Sequence, residues 1–461
     1  MQIIQKYARA GYLRMIDGQF LLRSWRKANK RITFCILIGQ RMVKVGFLLF
    51  PALVLGLFGW RSLVVEALKQ CGGAFVKAGQ WASTRPDVLP LEVCQELERL
   101  HSSAQAHSFA WSLLVVQREL PASLHLTIDK TPIGVGTVAQ VHKAKLHNSG
   151  KPDVAVAIKI LHPRIIETIQ IDLAILKIFA VALEFAVPAT RWINLPGEVD
   201  VFSQMMHAQC DLALEAEHLR TFNRNFSKWN WWKVLTKRST ITFPIPVYAS
   251  QNLLVETLQE GIPIQTFIKD ASVSERSKDR IARVLFRGLL KMILKDNFIH
   301  ADLHPGNIMV DERENLILLD AGLVTKLGRK DHRNFIDLFR AIIFHQDGFE
   351  AGRLIVERSP AKDQQNVLDR EGFYREIEEI VQRTMRPSSV IPDLILAKIA
   401  FSDVFKGLLR ALKKHHVKLD ENYTNIIMSI LCIEGLGRQL SNGINLLPLL
   451  KDVGEIYLGR R

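Results

Sequence analysis

The sequence predicts an α+β fold of two lobes with a ligand between them, and three stretches predict it. The first is a turn with two glycines, Gly134 and Gly136, between β-branched residues. The second is the apolar stretch at residues 154–160, which carries Lys159. The third is a polar loop at residues 298–307, followed by an apolar strand that ends at Asp320. Small residues let backbone N–H groups approach phosphate oxygens, and the cation and carboxylates suit a magnesium nucleotide.

The polar loop carries the most specific pattern, H-x-D-x-x-x-x-N, followed by an apolar strand and D-x-G. Asp302 is placed to accept a proton or orient a hydroxyl group, and Asn307 offers an amide oxygen five residues later. Residues 316–319 form a continuous apolar run that delivers Asp320 to a strand end. Enzymes of the protein-kinase type use this set for phosphoryl transfer, with the Asn and Asp oxygens holding Mg²⁺. The alternative is a polar turn between two strands.

The segments before this loop supply the other parts of a bilobal protein-kinase-like fold. Lys159 is predicted to neutralise the α- and β-phosphates of ATP. Glu215, on a helix predicted at residues 198–226, is the candidate partner of Lys159, although Glu217 competes for that role. Glu256 lies in the strand predicted to enter the hinge, where it and its neighbour would offer backbone groups to adenine. Each residue alone has an ordinary structural explanation, and their order in the chain is what favours a kinase.

The remaining elements are predicted to be helices around these strands. Pro86 and Pro90 separate helices within the N-terminal part, and a long helix is predicted at residues 165–185. Helices of the C-terminal lobe are predicted at residues 330–343, 371–383, 393–412 and 423–436. The predicted domains are a basic leader with a membrane-contact candidate (1–61), a helical extension (62–127), a kinase-like N-lobe with inserted helices (128–260) and a kinase-like C-lobe (261–461).

Composition narrows the class of partner. Hydrophobic residues make up 48% of the chain, which is ample for a large core and argues against disorder. The net charge of +15 indicates an anionic partner. We expect no nucleic-acid binding, because the chain has no zinc spacing, RNP-like motif or basic zipper, and anionic membrane lipid is favoured instead. The five cysteines are scattered without a C-x-x-C pair, which predicts reduced thiols.

The N-terminal stretch is basic and then apolar. The first 33 residues contain eight lysines and arginines but a single acidic residue, Asp17. This pattern suits a mitochondrial transit peptide or a membrane-surface helix, and a solvated basic helix is the alternative. Residues 45–60 are uncharged and almost wholly apolar, but they are shorter than the roughly 20 residues that span a bilayer, and Pro51 would kink a helix there. This segment is predicted either to embed in a membrane or to pack against the kinase domain.

One further motif resembles a family signature. Residues 71–80, C-G-G-A-F-V-K-A-G-Q, resemble the K-x-G-Q signature of the UbiB/aarF (ADCK) family of atypical kinases, which ordinary protein kinases lack. The polar loop H-A-D-L-H-P-G-N is also more similar to that family than to the usual H-R-D form, and the resemblance covers residues 60–345 well. It implies that the signature folds over the active-site cleft and gives Lys77, Gly79 and Gln80 an inhibitory, nucleotide-modulating role. From the residues alone, Lys77 would be a surface lysine on a helix.

The chain departs from the family pattern at three places. Gln209 stands where the family has the Glu of E-x-D, and its amide can hydrogen-bond Lys77 without supplying a counter-charge. Gly134 and Gly136 replace an alanine-rich nucleotide loop, which permits tighter phosphate contact at more conformational cost. Ala321 replaces the aromatic residue of D-F-G, so we expect the segment that carries the metal-binding aspartate to be held less firmly.

The resemblance also implies a function. It indicates a mitochondrial regulator of coenzyme Q or lipid metabolism, associated with the inner membrane and with coenzyme Q biosynthesis proteins. ATP and Mg²⁺ would be its cofactors, and slow ATP hydrolysis or small-molecule phosphorylation its activity. Two alternatives stay open: a small-molecule kinase of the choline or aminoglycoside type, and a catalytically silent nucleotide-binding scaffold.

Overall fold

The computed structural model describes most of the two lobes and of the helical extension. The described residues are 36–49, 51–52, 62–83, 91–97, 99–100, 105–148, 151–187, 194–235, 240–359, 364–365, 367–385, 401–417 and 421–441. The predicted basic leader lies outside the described residues, as do residues 53–61 of the membrane-contact candidate.

The N-terminal lobe is built on a five-stranded antiparallel sheet with the strand order β1-β2-β3-β6-β5. Val156, Ile158 and Ile160 on β3 are buried on one face because alternate residues of a strand point the same way. Lys159 therefore lies on the opposite face, beside Ala157. The strands of this lobe are β1 (His125–Val135), β2 (Ala139–Asn148), β3 (Lys151–Leu161), β4 (Ile241–Thr242), β5 (Pro246–Ala249) and β6 (Leu253–Thr257).

Helices flank this sheet and form the extension before it. The described helices are α1 (36–49), α2 (Ser62–Cys71), α3 (Gly73–Ser83), α4 (Leu91–Leu97), α5 (Phe109–Glu119), α6 (Ile165–Ala186), α7 (Leu195–Gln209) and α8 (Leu212–Leu235). The long helix predicted at residues 165–185 is confirmed as α6. The single helix predicted at residues 198–226 was wrong, because the chain breaks between α7 and α8. There the Asp211 Oδ1 accepts the backbone N–H groups of Ala213 (3.0 Å) and Leu214 (3.2 Å), so it caps a new helix.

The described part of the membrane-contact candidate packs against the helical extension. Val45, Leu49 and Ala52 are buried in one cluster with Phe75 on α3 and Ile175 on α6. Burial of these side chains favours the packed alternative for this part of the segment. Within the described residues, no helix combines the length and the apolar character needed to cross a membrane.

The C-terminal lobe places its short strands next to the predicted site residues. β8 ends just before Asp302, β9 begins after Asn307, and β10 ends just before Asp320. β4, β10, β9 and β7 form one small sheet, and β11 pairs with β8. The strands are β7 (Ile262–Pro263), β8 (Ile299–His300), β9 (Ile308–Val310), β10 (Leu316–Leu318) and β11 (Val324–Thr325). The described helices are α9 (Ile264–Lys269), α10 (Glu275–Leu290), α11 (Arg329–Arg340), α12 (Gly348–Glu357), α13 (Arg370–Met385), α14 (Phe401–His415) and α15 (Glu421–Leu440).

The helices of the C-terminal lobe agree with the sequence-based pattern. α13 and α15 cover two of the four predicted segments, and α14 covers the described part of a third. α11 covers the fourth as far as Arg340, and a π-helical turn, Ala341–His345, continues it. Cys71 and Cys210 are buried and Cys432 is partly buried, each as a free thiol. The whole is a mixed helix-and-sheet fold in which the two-glycine turn, the strand that carries Lys159 and the polar loop face one cavity.

Candidate active site

A cavity of about 630 Å³ separates the five-stranded sheet from the C-terminal lobe. Its volume lies in the range of small-molecule sites. Of the ten predicted site residues, Gln80 is the one that does not line it. The other nine do: Lys77, Gly134, Gly136, Lys159, Glu215, Glu256, Asp302, Asn307 and Asp320.

An ion cluster centred on Lys159 occupies one end of this cavity. The Lys159 Nζ donates to both carboxylate oxygens of Glu215, at 2.7 and 2.9 Å, and to Asp320 Oδ2 at 2.9 Å. The Glu215 side chain is 3% exposed and that of Asp320 is 38% exposed. Glu217 instead pairs with Arg220 on the outer surface of α8, at 3.4 Å. The structure thus pairs Lys159 with Glu215, on the helix that begins at the Asp211 cap.

The charges of this cluster and its burial shift the pKa values of its three side chains. Burial works against the charged form of Lys159, but the carboxylates of Asp320 and Glu215 outweigh it and raise the Lys159 pKa. Burial also disfavours ionised Asp320, yet the Lys159 ammonium group holds the pKa of Asp320 below its usual range. Burial, with the nearby Asp320, raises the pKa of Glu215 to about 7. Two carboxylates therefore share one ammonium group, and their uncompensated charge favours a cation at this end.

Asn307 and Asp320 fit the small oxygen set that Mg²⁺ takes from proteins. The backbone N–H of Leu319 donates to the Asn307 carbonyl (3.0 Å), which keeps the end of β10 against the polar loop. The Asn307 Nδ2 donates to the Asp302 carbonyl (3.1 Å), and its amide oxygen has no hydrogen bond to any described residue. Within the described chain, no group of three or more His, Cys, Asp or Glu side chains could hold a metal ion. One amide and one carboxylate suit a Mg²⁺ ion completed by phosphate and water.

The segment after Asp320 is held by a residue that the sequence analysis missed. The His218 Nδ1–H on α8 donates to the Ala321 carbonyl at 2.8 Å, and Ala321 is buried. The Gly322 N–H also donates to Asp320 Oδ1 (2.8 Å). A hydrogen bond from α8 therefore contributes to holding this segment, and the expectation that it is held less firmly without the aromatic ring stays a prediction. The sequence offered one signal for His218. It lies three residues after Glu215, and this spacing places both side chains on the same face of a helix.

The K-x-G-Q residues on α3 divide between two roles. Lys77 lines the cavity and makes no hydrogen bond or ion pair with another described residue, Gln209 included. The Gln80 Nε2 instead donates to the Leu100 carbonyl at 2.6 Å, outside the cavity. A Cβ atom at Gly79 would meet the Leu100 Cδ1, so a larger residue here would require the Leu100 side chain to shift. The structure thus places Gln80 in the attachment of α3 rather than beside a cavity ligand, which differs from the expected contact.

The two-glycine turn is shaped by backbone contacts. The Gly136 N–H donates to the Ala139 carbonyl (2.8 Å), and the His162 Nε2–H donates to the Gly136 carbonyl (2.9 Å). A Cβ atom at Gly134 would meet no other atom within 4 Å, and neither glycine adopts a left-handed conformation. Gly134 therefore leaves space open, and the expected conformational cost, which is the chain entropy lost on folding, stays a prediction. A Cβ at Gly73 would lie 2.5 Å from the Thr137 Cγ2, so the start of α3 touches this turn.

Glu256 faces the cavity with its side chain. Its main chain lies inside the sheet, opposite Ala157 on β3 and Pro246 on β5. The neighbouring Thr257 N–H donates to the Ile245 carbonyl at 3.0 Å. Glu256 also lines the cavity, and the backbone contact with adenine that the sequence predicts stays a prediction. Burial, followed by repulsion from Glu215, raises the pKa of the Glu256 carboxyl to about 8.

Comparison with known proteins identifies the family. The model of the ABC1 atypical kinase-like domain matches residues 100–350. The chain belongs to this family. The match covers the five-stranded sheet, the ion cluster and the polar loop, so the residues of the cavity lie within the family domain or, like Lys77, just before it.

Individual relatives agree with this assignment. A mitochondrial ABC1 family protein of Schizosaccharomyces pombe is 31% identical over 84% of this chain, and the match spans 64% of that protein's length. A probable protein kinase UbiB of Histophilus somni is 26% identical over 86% of this chain and 70% of its own. The resemblance to the UbiB/aarF family is thereby confirmed. A Mycobacterium tuberculosis protein solved in complex with erythromycin matches 85% of this chain and 94% of its own with a TM-score of 0.50 and 17% identity, which shows a shared fold.

Proposed function

We propose that this protein is an atypical kinase or ATPase that binds Mg²⁺–ATP in the cavity between its lobes and turns it over slowly. The observation that supports this most directly is the triple hydrogen bond from Lys159 to Glu215 and Asp320. These groups line one cavity with Asp302 and Asn307. The proposal is supported by this set, because phosphoryl transfer uses a cation, carboxylates and an amide together.

Each residue of the cluster has a distinct part in this proposal. Lys159 neutralises charge on the α- and β-phosphates, and Glu215 holds the lysine in place. Asn307 and Asp320 bind Mg²⁺, which screens the negative charge of the phosphates. Asp302 orients the acceptor, either a hydroxyl group or water. The rate would come from positioning and charge neutralisation more than from covalent chemistry.

The helical extension bears on the class of acceptor. Lys77 on α3 lines the same cavity as Asp302, so the extension lies where a peptide substrate would approach. We therefore favour water or a small molecule as the acceptor over a protein side chain.

The setting of this activity is proposed from relatives and charge. The Schizosaccharomyces pombe relative is a mitochondrial protein by name, and the Histophilus somni relative is a UbiB kinase by name. The net charge of +15 favours an anionic surface. We propose that the protein acts at the mitochondrial inner membrane on coenzyme Q or lipid metabolism, in contact with anionic lipid and with coenzyme Q biosynthesis proteins.

The test is ATP turnover by the full chain with Mg²⁺, with and without liposomes that contain cardiolipin. We expect slow hydrolysis that rises with the anionic lipid and falls about a hundredfold in Asp320→Asn, because the metal carboxylate is lost. Asp153→Asn is the matched control, since Asp153 is exposed and pairs with His147 outside the cavity. Its turnover should equal that of the parent protein.

Other outcomes separate the alternatives. If turnover is absent while Mg²⁺–ATP raises the melting temperature, the silent scaffold is the better description. Phosphorylation of a soluble alcohol such as choline would instead support the small-molecule kinase. With neither turnover nor a thermal shift, the roles assigned to Lys159, Asn307 and Asp320 are withdrawn.

A further inference from the structure

A network of hydrogen-bonded polar side chains lies in the N-terminal lobe outside the cavity. Ser112 on α5 and Gln140 and His142 on β2 are buried, and none of them lines the cavity. The Ser112 Oγ lies 3.0 Å from His107 Nε2 and 3.1 Å from His142 Nε2, and the Gln140 Nε2–H donates to His142 Nε2 at 2.9 Å. His107 Nδ1 lies 2.7 Å from His162 Nδ1. Polar groups are costly to bury unless they are hydrogen-bonded, and a satisfied network holds its members in one arrangement.

The partners of the rings fix which nitrogens carry hydrogen. A carbonyl oxygen only accepts, so the His162 Nε2–H donates to the Gly136 carbonyl at 2.9 Å. A neutral His162 ring therefore accepts at Nδ1, and the His107 Nδ1–H donates to it. His107 in turn accepts the Ser112 hydroxyl at Nε2. Burial, followed by repulsion from His162 and His142, lowers the pKa of His107 to about 4, so the His107 ring is neutral at pH 7.

This network joins the helical extension to the two-glycine turn. His107 lies just before α5, and its backbone N–H donates to the Gln140 Oε1 on β2 at 2.9 Å. His162 follows β3, and its backbone N–H donates to the Val138 carbonyl at 2.9 Å. The ring and the main chain of His162 therefore both hold the turn, and His107 holds the ring.

The hydrogen bond from His162 sets the direction of the peptide group between Gly136 and Thr137. In a planar trans peptide, the carbonyl and the N–H of the next residue point in opposite directions, and the described chain has no cis peptide bond. Gly136 and Thr137 line the cavity, whereas His162 does not. The Gly136 carbonyl is thus held toward a residue outside the cavity, which places the Thr137 N–H on the cavity side. That N–H has no hydrogen-bond partner among the described residues.

We propose that His162 is a positioning residue for the phosphate groups of the bound nucleotide, and that His107 acts by holding the His162 ring. This inference rests on the proposed function, since it requires a nucleotide in the cavity. It adds two residues outside the cavity that decide which way the backbone of the turn faces. Without the His162 donor, the peptide group after Gly136 can turn over and present its carbonyl oxygen to the negatively charged phosphates. Loss of this donor should therefore weaken binding of the phosphates but not of the nucleoside.

The experiment measures the affinity of the full chain for ATP and for adenosine, by displacement of a fluorescent ATP analogue with Mg²⁺ present. We expect His162→Leu to weaken ATP binding about tenfold, the value of one hydrogen bond to a charged group, and to change adenosine binding less than twofold. His162→Gln should recover most of the ATP affinity, because its amide N–H can reach the Gly136 carbonyl. His147→Leu is the matched control, since His147 on β2 is exposed and pairs with Asp153 outside the cavity. Its affinities should equal those of the parent protein.

A second variant tests whether His107 acts through His162. His107→Ala should weaken ATP binding by a smaller factor than His162→Leu does. The double variant His107→Ala/His162→Leu should bind ATP within about twofold of His162→Leu, because residues that act through one contact are not additive. Effects that multiply in the double variant would overturn the role of His107.

The backbone amide of Thr137 provides a measurement in the parent protein, so the test does not depend on the folding of a variant. With ¹⁵N-labelled threonine, the Thr137 signal is assigned by its loss in Thr137→Ser. We expect this signal to move downfield with Mg²⁺–ATP and to stay unchanged with adenosine. Equal weakening of ATP and adenosine binding in His162→Leu, or a Thr137 amide that does not respond to Mg²⁺–ATP, overturns the inference while the proposed function survives. Absence of ATP binding by the parent protein overturns both.

Discussion

Two groups of charged residues that line the cavity differ in how they are satisfied. At the first, called the paired end, Lys159 makes three hydrogen bonds to Glu215 and Asp320, each between 2.7 and 2.9 Å. At the second, called the unpaired end, Glu256 has a buried oxygen with no partner in the described chain. Both ends belong to one cavity and both hold buried carboxyl groups, so burial alone does not explain the difference.

A satisfied ion cluster and an unsatisfied buried carboxyl group have different consequences for the stability of the protein. A satisfied ion cluster persists without a ligand, and structural ion pairs of this kind perturb pKa values as active sites do. The interpretation of this cluster as part of an active site therefore depends on the H-x-D and D-x-G motifs around it. An unsatisfied buried group lowers the stability of the folded protein, because no hydrogen bond offsets its loss of hydration. We therefore expect the paired end to stabilise the fold and the unpaired end to destabilise it.

The largest expected effect follows from breaking the pair. Lys159→Met leaves the Glu215 carboxylate, 3% exposed, without its principal partner. We expect the free energy of unfolding to fall by about 3–5 kcal/mol, because an uncompensated charge stays buried. Urea unfolding followed by circular dichroism measures this.

The double variant Lys159→Met/Glu215→Gln provides the matched control for the pair. It removes the stranded charge along with the cation, so it should be more stable than Lys159→Met alone. A double variant no more stable than the single one would show that the cluster is not the coupled pair described here.

Residues in local patterns were predictable, and residues fixed by distant contacts were not. The lysine strand, the polar loop and the D-x-G turn could be identified because each is a short motif with fixed spacing. The break at Asp211 depends on a side chain capping the next helix, which the continuous helical pattern did not reveal. His218 acts on Ala321, over a hundred residues away in sequence. The orientation of Glu256 depends on the register of β6 against β3, which the sequence of one strand does not specify.

The second prediction tests the unpaired end through pH. Glu256 has a pKa of about 8 in the folded protein against an ordinary value of 4.5, so the folded state holds a proton that the unfolded state has lost. Stability therefore falls as pH rises from about 4.5 to 8. Glu256→Gln lacks this proton equilibrium, so its advantage over the parent should grow across that range to on the order of 3 kcal/mol.

Urea unfolding at pH 5 and pH 8 measures this difference. Histidines titrate in both proteins and cancel in the comparison, and Glu260→Gln, which removes an exposed carboxylate four residues away, should follow the parent at both pH values. Parallel pH dependence of the parent and Glu256→Gln would mean that the carboxyl is solvated, and the contrast between the two ends would disappear.

The smallest expected effect concerns the helix that covers the paired end. Lys77 and Gln80 lie on the same helix, α3, but only Lys77 lines the cavity, while Gln80 hydrogen-bonds the Leu100 carbonyl. Gln80→Ala should therefore lower the free energy of unfolding by about 1 kcal/mol, the value of one hydrogen bond, and change ATP affinity less than twofold. Gln265→Ala, which removes an exposed amide with a 3.5 Å contact, should be close to neutral. If Gln80→Ala changes nucleotide affinity several-fold at unchanged stability, Gln80 acts on the cavity after all, and the family-based expectation for it is the better account.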